Sequence, residues 1–427
     1  MRRTMIYICV GVVALLCTMC GSGDNANGGA KRAAVKGEPT AWHDTLSNKA
    51  STFAALEPMD RKISRFMDKW DLRGMSVAVT RHDSLIFAKG YGWSNAEFGI
   101  PLEANMVMRI ASSSKLITAV AVMKLCEEGR LSLDSKVFGE KGVLNDTIYS
   151  NAIRDERLYD LTVDHLLLHK GGFSTRFGDP MFNIRDIMVA DSLAEAPRGG
   201  DLARYVLRRR LMAAPGEIRR YSNFGYMLLS LVVEKAAGKD YWDYVMNDLL
   251  GEVCSGGFYP ATNYLSERYD CESCYYAPDT VMVEEYNGSG KMVPRVYGGT
   301  DVYGLMGAGG WVASAPAIAR LVASIDGDNR VPDILTARSI AKMTEYDEES
   351  AVCRGWSHIE KDGSWLRTGT LYSAHSFVKH FPDGECWVIV TNTGVWIGHN
   401  FVRQFVQLVD MLRADYGAVM PKQNLWE

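Results

Sequence analysis

The 427-residue sequence has no long basic block, no visible internal repeat and no apolar run that would cross a bilayer comfortably. Its 47 Lys plus Arg stand against 51 Asp plus Glu, a formal charge of −4. It therefore lacks the one-signed field that draws nucleic acid, which is not an expected partner. It also lacks a His-Glu-x-x-His metal face. His165 and His169 are four apart with no Glu in the required place, and they read as structural histidines. Cys271-x-x-Cys274 has neither a second pair nor a nearby His, which argues against zinc and leaves a disulfide with Cys254 or plain thiols. The Gly-rich turn Met306-Gly307-Ala308-Gly309-Gly310-Trp311 lacks the spacing of a phosphate loop.

What is present is globular, 47% hydrophobic and 10% aromatic, and long enough for one large two-part unit or two domains. Arg2 and Arg3 precede an apolar run from Met5 to Met19, the pattern of a secretory signal over residues 1–20. The chain is therefore expected to be exported, to the periplasm or as an outer-membrane lipoprotein. Cys20 and the polar stretch after it match a lipid-bearing Cys and its tether, giving a membrane attachment. The preceding Cys17-Thr18-Met19 fits that pattern poorly, so ordinary cleavage stands beside lipidation. Residues 21–58 carry no sustained period and read as flexible tether or surface wrap, leaving 59–427 as the folded domain.

Within that domain Asp60 to Trp70 reads as an amphipathic helix, and Met75–Thr80 and Leu85–Tyr91 as a hairpin. An apolar helix runs on from Ser112 to Gly129, buried on every side. The middle is mainly helical: Val163–His169 capped by Thr162, Asp201–Ala213, Ser222–Ala237, Asp240–Leu250 and Pro316–Ile325. Residues 251–303 have no clear period and read as an insertion lining the site. From Gly355 the signal turns to strands, at Gly355–Ile359, Ser364–Gly369, Ser373–Phe381 and Cys386–Thr391, before a helix over Phe401–Tyr416. The expected fold class is α/β (α+β), a central antiparallel sheet built from both chain ends and flanked by helices, with an inserted helical lobe.

Ser112-x-x-Lys115 carries the chemistry. Positions three apart at a helix start share a face, so a hydroxyl nucleophile would lie beside an amine base. The positive end of the helix dipole would push that amine toward its neutral form. Two further stretches bear on it. Tyr221-Ser222-Asn223 offers a phenol to shuttle the proton and an amide to orient substrate. Arg367-Thr368-Gly369-Thr370 offers a cation, a Gly that admits close approach, and the Thr370 amide, which with that of Ser112 could form an oxyanion hole.

In this order the three motifs resemble the serine β-lactamase and penicillin-binding-protein superfamily, in its class C-like branch with esterases and D-amino-acid peptidases. The resemblance covers roughly Asp60 to Tyr416 and includes the flanking Leu161–His169 segment before a Gly pair. It implies that Ser112 forms an acyl-enzyme, with Lys115 and Tyr221 sharing general base and acid duty. It implies that Asn223, Arg367, Thr368, Gly369 and Thr370 bind substrate, with no metal or other cofactor. Arg367 stands where relatives carry Lys or His; it suits a carboxylate but cannot donate a proton. Leu371-Tyr372-Ser373-Ala374 replaces the usual Pro-Gly turn and puts a Tyr at the site's edge. The resemblance implies a peptide or small-molecule substrate, namely D-amino-acid peptides or β-lactams. A carboxylesterase and a non-hydrolytic penicillin-binding sensor are the alternatives.

Overall fold

The computed structural model describes residues 41–427 except 177, 252, 255, 329 and 347–352, so the expected signal and Cys20 lie outside the described residues. The N-terminal strands are β1 (Gly74–Arg81), β2 (Ser84–Asn95), β3 (Ile100–Pro101) and β4 (Met108–Arg109). The middle adds β5 (Phe258–Pro260), β6 (Met282–Glu284), β7 (Met292–Pro294) and β8 (Trp311–Ala313). The C-terminal run supplies β9 (His358–Ile359), β10 (Trp365–Leu371), β11 (Ala374–His380) and β12 (Glu385–Thr391). The main sheet has the order β3-β2-β1-β12-β11-β10-β9 with antiparallel neighbours, so its centre joins the two chain ends. β8 forms a small second sheet with β4 and β5.

Strand alternation sends successive side chains to opposite faces. On one face Val77, Val79, Phe377, Trp387 and Ile389 meet Met59, Ile63 and Met67 of the Glu57–Trp70 helix and Phe405, Val409 and Leu412 of the Val402–Tyr416 helix. On the other, Ala78, Val378, Val388 and Val390 join the core of the helical middle, including the Ser114–Glu127, Asn223–Ala237 and Ala315–Ala323 helices. The inserted helical middle shares this core with the sheet. Each fully buried Val, Leu or Phe of this kind stabilises by about 2 kcal/mol.

Several elements start where their caps predict. Thr162 closes a capping box with His165, Ser222 accepts from Gly225 N–H and Gly238 ends its helix at φ 66°. Others are shorter. The expected Asp201–Ala213 helix is Gly199–Val206, because Met212 N–H turns away to bond Gly172 O at 2.9 Å. Residues 41–58 are not a free tether. Asn48 donates to Leu102 O at 2.8 Å and accepts from Gly90 N–H at 2.7 Å, and Ser51 Oγ accepts from Ala88 N–H at 2.8 Å. Short polar side chains fasten this wrap to β2, which leaves no hydrophobic period to read.

Candidate active site

The turn that carries Ser112, the candidate nucleophile, is held from both sides. β4 leads into it, with Ile110 N–H on Trp311 O at 3.1 Å. Ala111 then takes φ +49°, a left-handed conformation costly for a residue with a Cβ. A 3-10 turn over Ala111–Ser113 precedes the Ser114–Glu127 helix, so the helix proper begins two residues after Ser112. The surrounding serines satisfy the backbone: Ser114 Oγ donates to Ala111 O at 2.6 Å and Ser376 Oγ to Ile110 O at 2.6 Å. Among the described residues the hydroxyl of Ser112 meets the side chains of Lys115 and Tyr221.

Behind the turn, buried Arg109 donates to Thr262 O and Val296 O, both at 2.8 Å, and lies 4.2 Å from the Tyr275 ring centre. This is what residues 251–303 do. They buttress the strand that leads to Ser112, and none of the described ones lines the cleft, contrary to the sequence expectation. The backbone carbonyls that hold Arg109 leave no hydrophobic period for that role to show in.

At the front, Tyr221 OH donates to Ser112 Oγ at 2.7 Å, and Lys115 Nζ lies 3.3 Å from the same oxygen. Lys115 also meets Asn223 Oδ1 at 2.7 Å and the backbone carbonyl of Ala308 at 2.5 Å. An ammonium would donate along all three directions. A neutral amine has two N–H groups and one lone pair, so donation to the two pure acceptors leaves the lone pair facing Ser112. The Lys115 pKa is pushed down to about 8, chiefly by burial and further by Arg367, while Tyr221 and Asp179 oppose the shift. Desolvation, rather than the expected helix dipole, leads. Burial works against a charged Tyr221, but Lys115 and Arg367 outweigh it and lower that pKa. Tyr221 as a residue is 40% exposed, and its ring centre lies 4.5 Å from that of His169. Burial and the Lys115 charge hold His169 neutral, with Nδ1 accepting from Ser222 N–H at 3.3 Å. His169 is thus structural, as its spacing suggests.

The substrate side is the open edge of β10. Beyond Leu366 that edge has no partner strand among the described residues, because β9 pairs only with Trp365 and Leu366. Ser357 N–H bonds Leu366 O at 2.8 Å and Thr368 N–H bonds Ser357 Oγ at 3.3 Å, so these groups point toward the β9 side. Strand alternation then points Thr370 N–H the same way, out of the free edge. A Cβ on Gly369 would lie 2.3 Å from Ile110 O and 2.9 Å from Ser112 N, so only Gly lets the strand pass this close. Thr370 Oγ1 lies 3.2 Å from Nδ1 of buried His375.

Arg367 differs from expectation. It is 2% exposed, and Nε donates to the Ser112 carbonyl at 2.9 Å with Nη2 on the same oxygen. Two of its three nitrogens hold the nucleophile turn rather than a ligand. Asn223 is likewise partly engaged, its Nδ2 donating to Asp179 Oδ2 at 2.7 Å. Tyr372 is turned away, its hydroxyl on Asp279 Oδ2 at 2.5 Å, and Leu371 lines the cleft instead. The cavity over Ser112 is about 440 Å³, walled by Tyr221, Thr368 and Thr370 and by the apolar Phe182, Leu305 and Val402.

All eight sequence-predicted site residues therefore meet at one place. Sequence reasoning missed Asp179, and it missed that the Gly-rich 306–311 turn would present the Ala308 carbonyl to Lys115. Cys254, Cys271 and Cys274 form no disulfide. No helix among the described residues is long and apolar enough to cross a membrane.

A serine, a lysine and a tyrosine gathered above the open edge of an antiparallel sheet define an active-site-serine fold of the β-lactamase and transpeptidase type. The chain belongs to the β-lactamase family of serine hydrolases, whose family model, Beta-lactamase, matches residues 59–399. It is similar to Protein flp of Staphylococcus aureus (strain COL), 26% identical over 214 residues, or 50% of this chain and 40% of that protein. The chain thus spans less than half the length of that curated relative. In fold it resembles a class C β-lactamase, with TM-score 0.61 and 17% identity over 83% of this chain and 94% of that one. It also resembles the D-alanine carboxypeptidase AmpC of Burkholderia cenocepacia, with TM-score 0.58 and 17% identity over 84% and 99% of the two chains.

Proposed function

We propose that this chain is an exported serine hydrolase that forms an acyl-enzyme at Ser112, acting on D-amino-acid peptides or β-lactams. The observation that carries the reading is the convergence of Tyr221 OH at 2.7 Å and Lys115 Nζ at 3.3 Å on Ser112 Oγ. Ser112 Oγ attacks the carbonyl carbon and its proton passes to Lys115, directly or through Tyr221. The amides of Ser112 and Thr370 face the oxyanion of the tetrahedral intermediate. Tyr221 returns the proton to the leaving nitrogen, and a water then hydrolyses the ester. Arg367 Nη1, with no protein partner among the described residues, is the cation left for a substrate carboxylate. Export, and attachment through Cys20, rest on the N-terminal sequence pattern.

One observation favours an ester substrate on the same machinery. Nε and Nη2 of Arg367 are committed to the Ser112 carbonyl, and much of the cleft wall is apolar, which weakens the case for an anionic ligand. Incubating wild type and Ser112→Ala with a fluorescent penicillin and a p-nitrophenyl ester panel separates the readings. A Ser112-dependent adduct located by mass spectrometry supports the first. Ser112-dependent ester turnover without penicillin acylation supports the second. Stoichiometric labelling without turnover indicates a sensor, and no Ser112-dependent reaction with either probe overturns the proposal.

A further inference from the structure

The Asn223 amide is held at both ends. Its Oδ1 faces Lys115 Nζ at 2.7 Å, and its Nδ2 donates to Asp179 Oδ2 at 2.7 Å. Asp179 is itself fixed, because its Oδ1 accepts from Met181 N–H at 3.0 Å as the cap of the Pro180–Phe182 turn. An amide can turn by 180° and exchange its oxygen and nitrogen. A carboxylate accepts only, so it tolerates the NH₂ group on its side and rejects the oxygen.

We infer that Asp179 is a positioning residue for the reaction, fixing the Asn223 amide so that its oxygen, not its nitrogen, faces Lys115. The inference rests on Ser112 being the nucleophile and Lys115 its base. With the oxygen inward, Lys115 sees two acceptors, Asn223 Oδ1 and Ala308 O, which take both N–H groups of the neutral amine and leave its lone pair toward Ser112. With the amide reversed, Nδ2 would face Lys115 as a competing donor, and the lone pair would be drawn from Ser112 to Asn223. A second consequence is electrostatic. The Asp179 charge favours the ammonium and so opposes the lowering of the Lys115 pKa. Asp179 therefore trades a little basicity at neutral pH for a fixed direction of proton transfer.

The test uses the whole chain and a fluorophosphonate probe, which Ser112 Oγ attacks at phosphorus with loss of fluoride, its proton passing to the base. The second-order labelling rate is measured from pH 6 to 10 for wild type, Asp179→Ala and Asp179→Asn, with thermal melts alongside. Asp179→Ala removes both the acceptor and the charge. Its high-pH labelling rate should fall about tenfold, a typical cost of misplaced proton transfer. Asp179→Asn keeps an acceptor oxygen but loses the charge, and its rate should fall less. In both variants the half-maximal pH should move down by about half a unit, because the charge that favours the ammonium has gone. Unchanged rates and half-maximal pH in both variants overturn the inference. So does a lower rate with an unmoved half-maximal pH, since a merely structural residue would behave that way. If wild type is not labelled at Ser112 at all, the underlying reading of the site falls first and this inference falls with it.

Discussion

Two buried lysines, one in the cleft and one on the far part of the sheet, have opposite fates. Lys115 is wholly buried among neutral acceptors with Arg367 nearby, and its pKa drops to about 8. Lys379 on β11 is 3% exposed but meets Glu360 at 2.8 Å and Asp410 at 3.0 Å. Burial works against its charge as well, yet those carboxylates outweigh it and its pKa is raised. Burial alone does not make a base. What lowers the Lys115 pKa is burial with carbonyl oxygens in place of carboxylates, so that the amine is hydrogen-bonded but its charge is not compensated.

The widest separation should appear on deleting the two amines. Lys115→Met removes the proton acceptor for Ser112 and should lower the acylation rate by about a thousandfold, or about 4 kcal/mol. Lys379→Met removes an ammonium that lies 4.7 Å from the Phe381 ring centre and touches no candidate site residue, and it should leave that rate within about twofold. Burst kinetics with a p-nitrophenyl ester measure both. Equal losses in the two variants would break the contrast.

A second probe moves the nucleophile rather than the base. Gly369→Ala forces a Cβ to within 2.3 Å of Ile110 O and 2.5 Å of Ser376 Oγ, so β10 and the Ser112 turn must separate. Overpacking of this kind costs about 3 kcal/mol, readable by denaturant unfolding, and acylation should fall with it. Gly417→Ala, whose Cβ would meet nothing within 4 Å, serves as the control at a glycine away from the cleft.

The contrast between the lysines was partly legible in the sequence. Ser112, Lys115, Tyr221, Asn223 and the Arg367–Thr370 strand could be read because each is a side chain at the start of a periodic element, where spacing fixes its direction. The sheet ends and the buried Ser114–Glu127 helix were legible for the same reason. Ala308 was not, because what it gives Lys115 is a carbonyl oxygen that every residue owns. Its place depends on the kink at Met306, φ +46°, which no pattern announces. Asp179 lies in a loop without period and acts through Asn223. The committed Arg367 was illegible too, since a charged residue on a motif strand reads as a ligand hook until the carbonyl it holds is seen.

Stability should sharpen the comparison in sign as well as size. Lys115 is more acidic folded than unfolded, so its burial penalty is fully present below about pH 8 and is released as pH rises toward its ordinary value of 10.5. Between pH 7 and 10 wild type should therefore gain about 2 kcal/mol relative to Lys115→Met. Lys379 shifts the other way. Its contribution is fully present below 10.5 and lost only above it, so the Lys379→Met difference should stay flat over the same range. Urea unfolding at each pH reads both slopes.

The smallest effect concerns wild type alone and tests whether the lowered pKa of Lys115 is used. If the neutral amine takes the Ser112 proton, the acylation rate follows the neutral fraction. With a pKa of about 8, that fraction rises from about one tenth at pH 7 to about nine tenths at pH 9, a roughly tenfold increase. An ordinary lysine of pKa 10.5 would instead give a rise of about a hundredfold over the same range and level off only above pH 10. His169 cannot supply the limb, because it is already neutral well below pH 6.5. Tyr221, whose pKa is also lowered, can share it, since it lies in the same hydrogen-bonded chain. Tyr221→Phe distinguishes the two: a limb that persists at lower amplitude belongs to Lys115, and one that disappears belongs to the coupled pair. A rate that keeps rising about tenfold per pH unit through pH 9, with no levelling off, would mean that Lys115 stays charged in the cleft as Lys379 does on the sheet, and the contrast between the two would collapse.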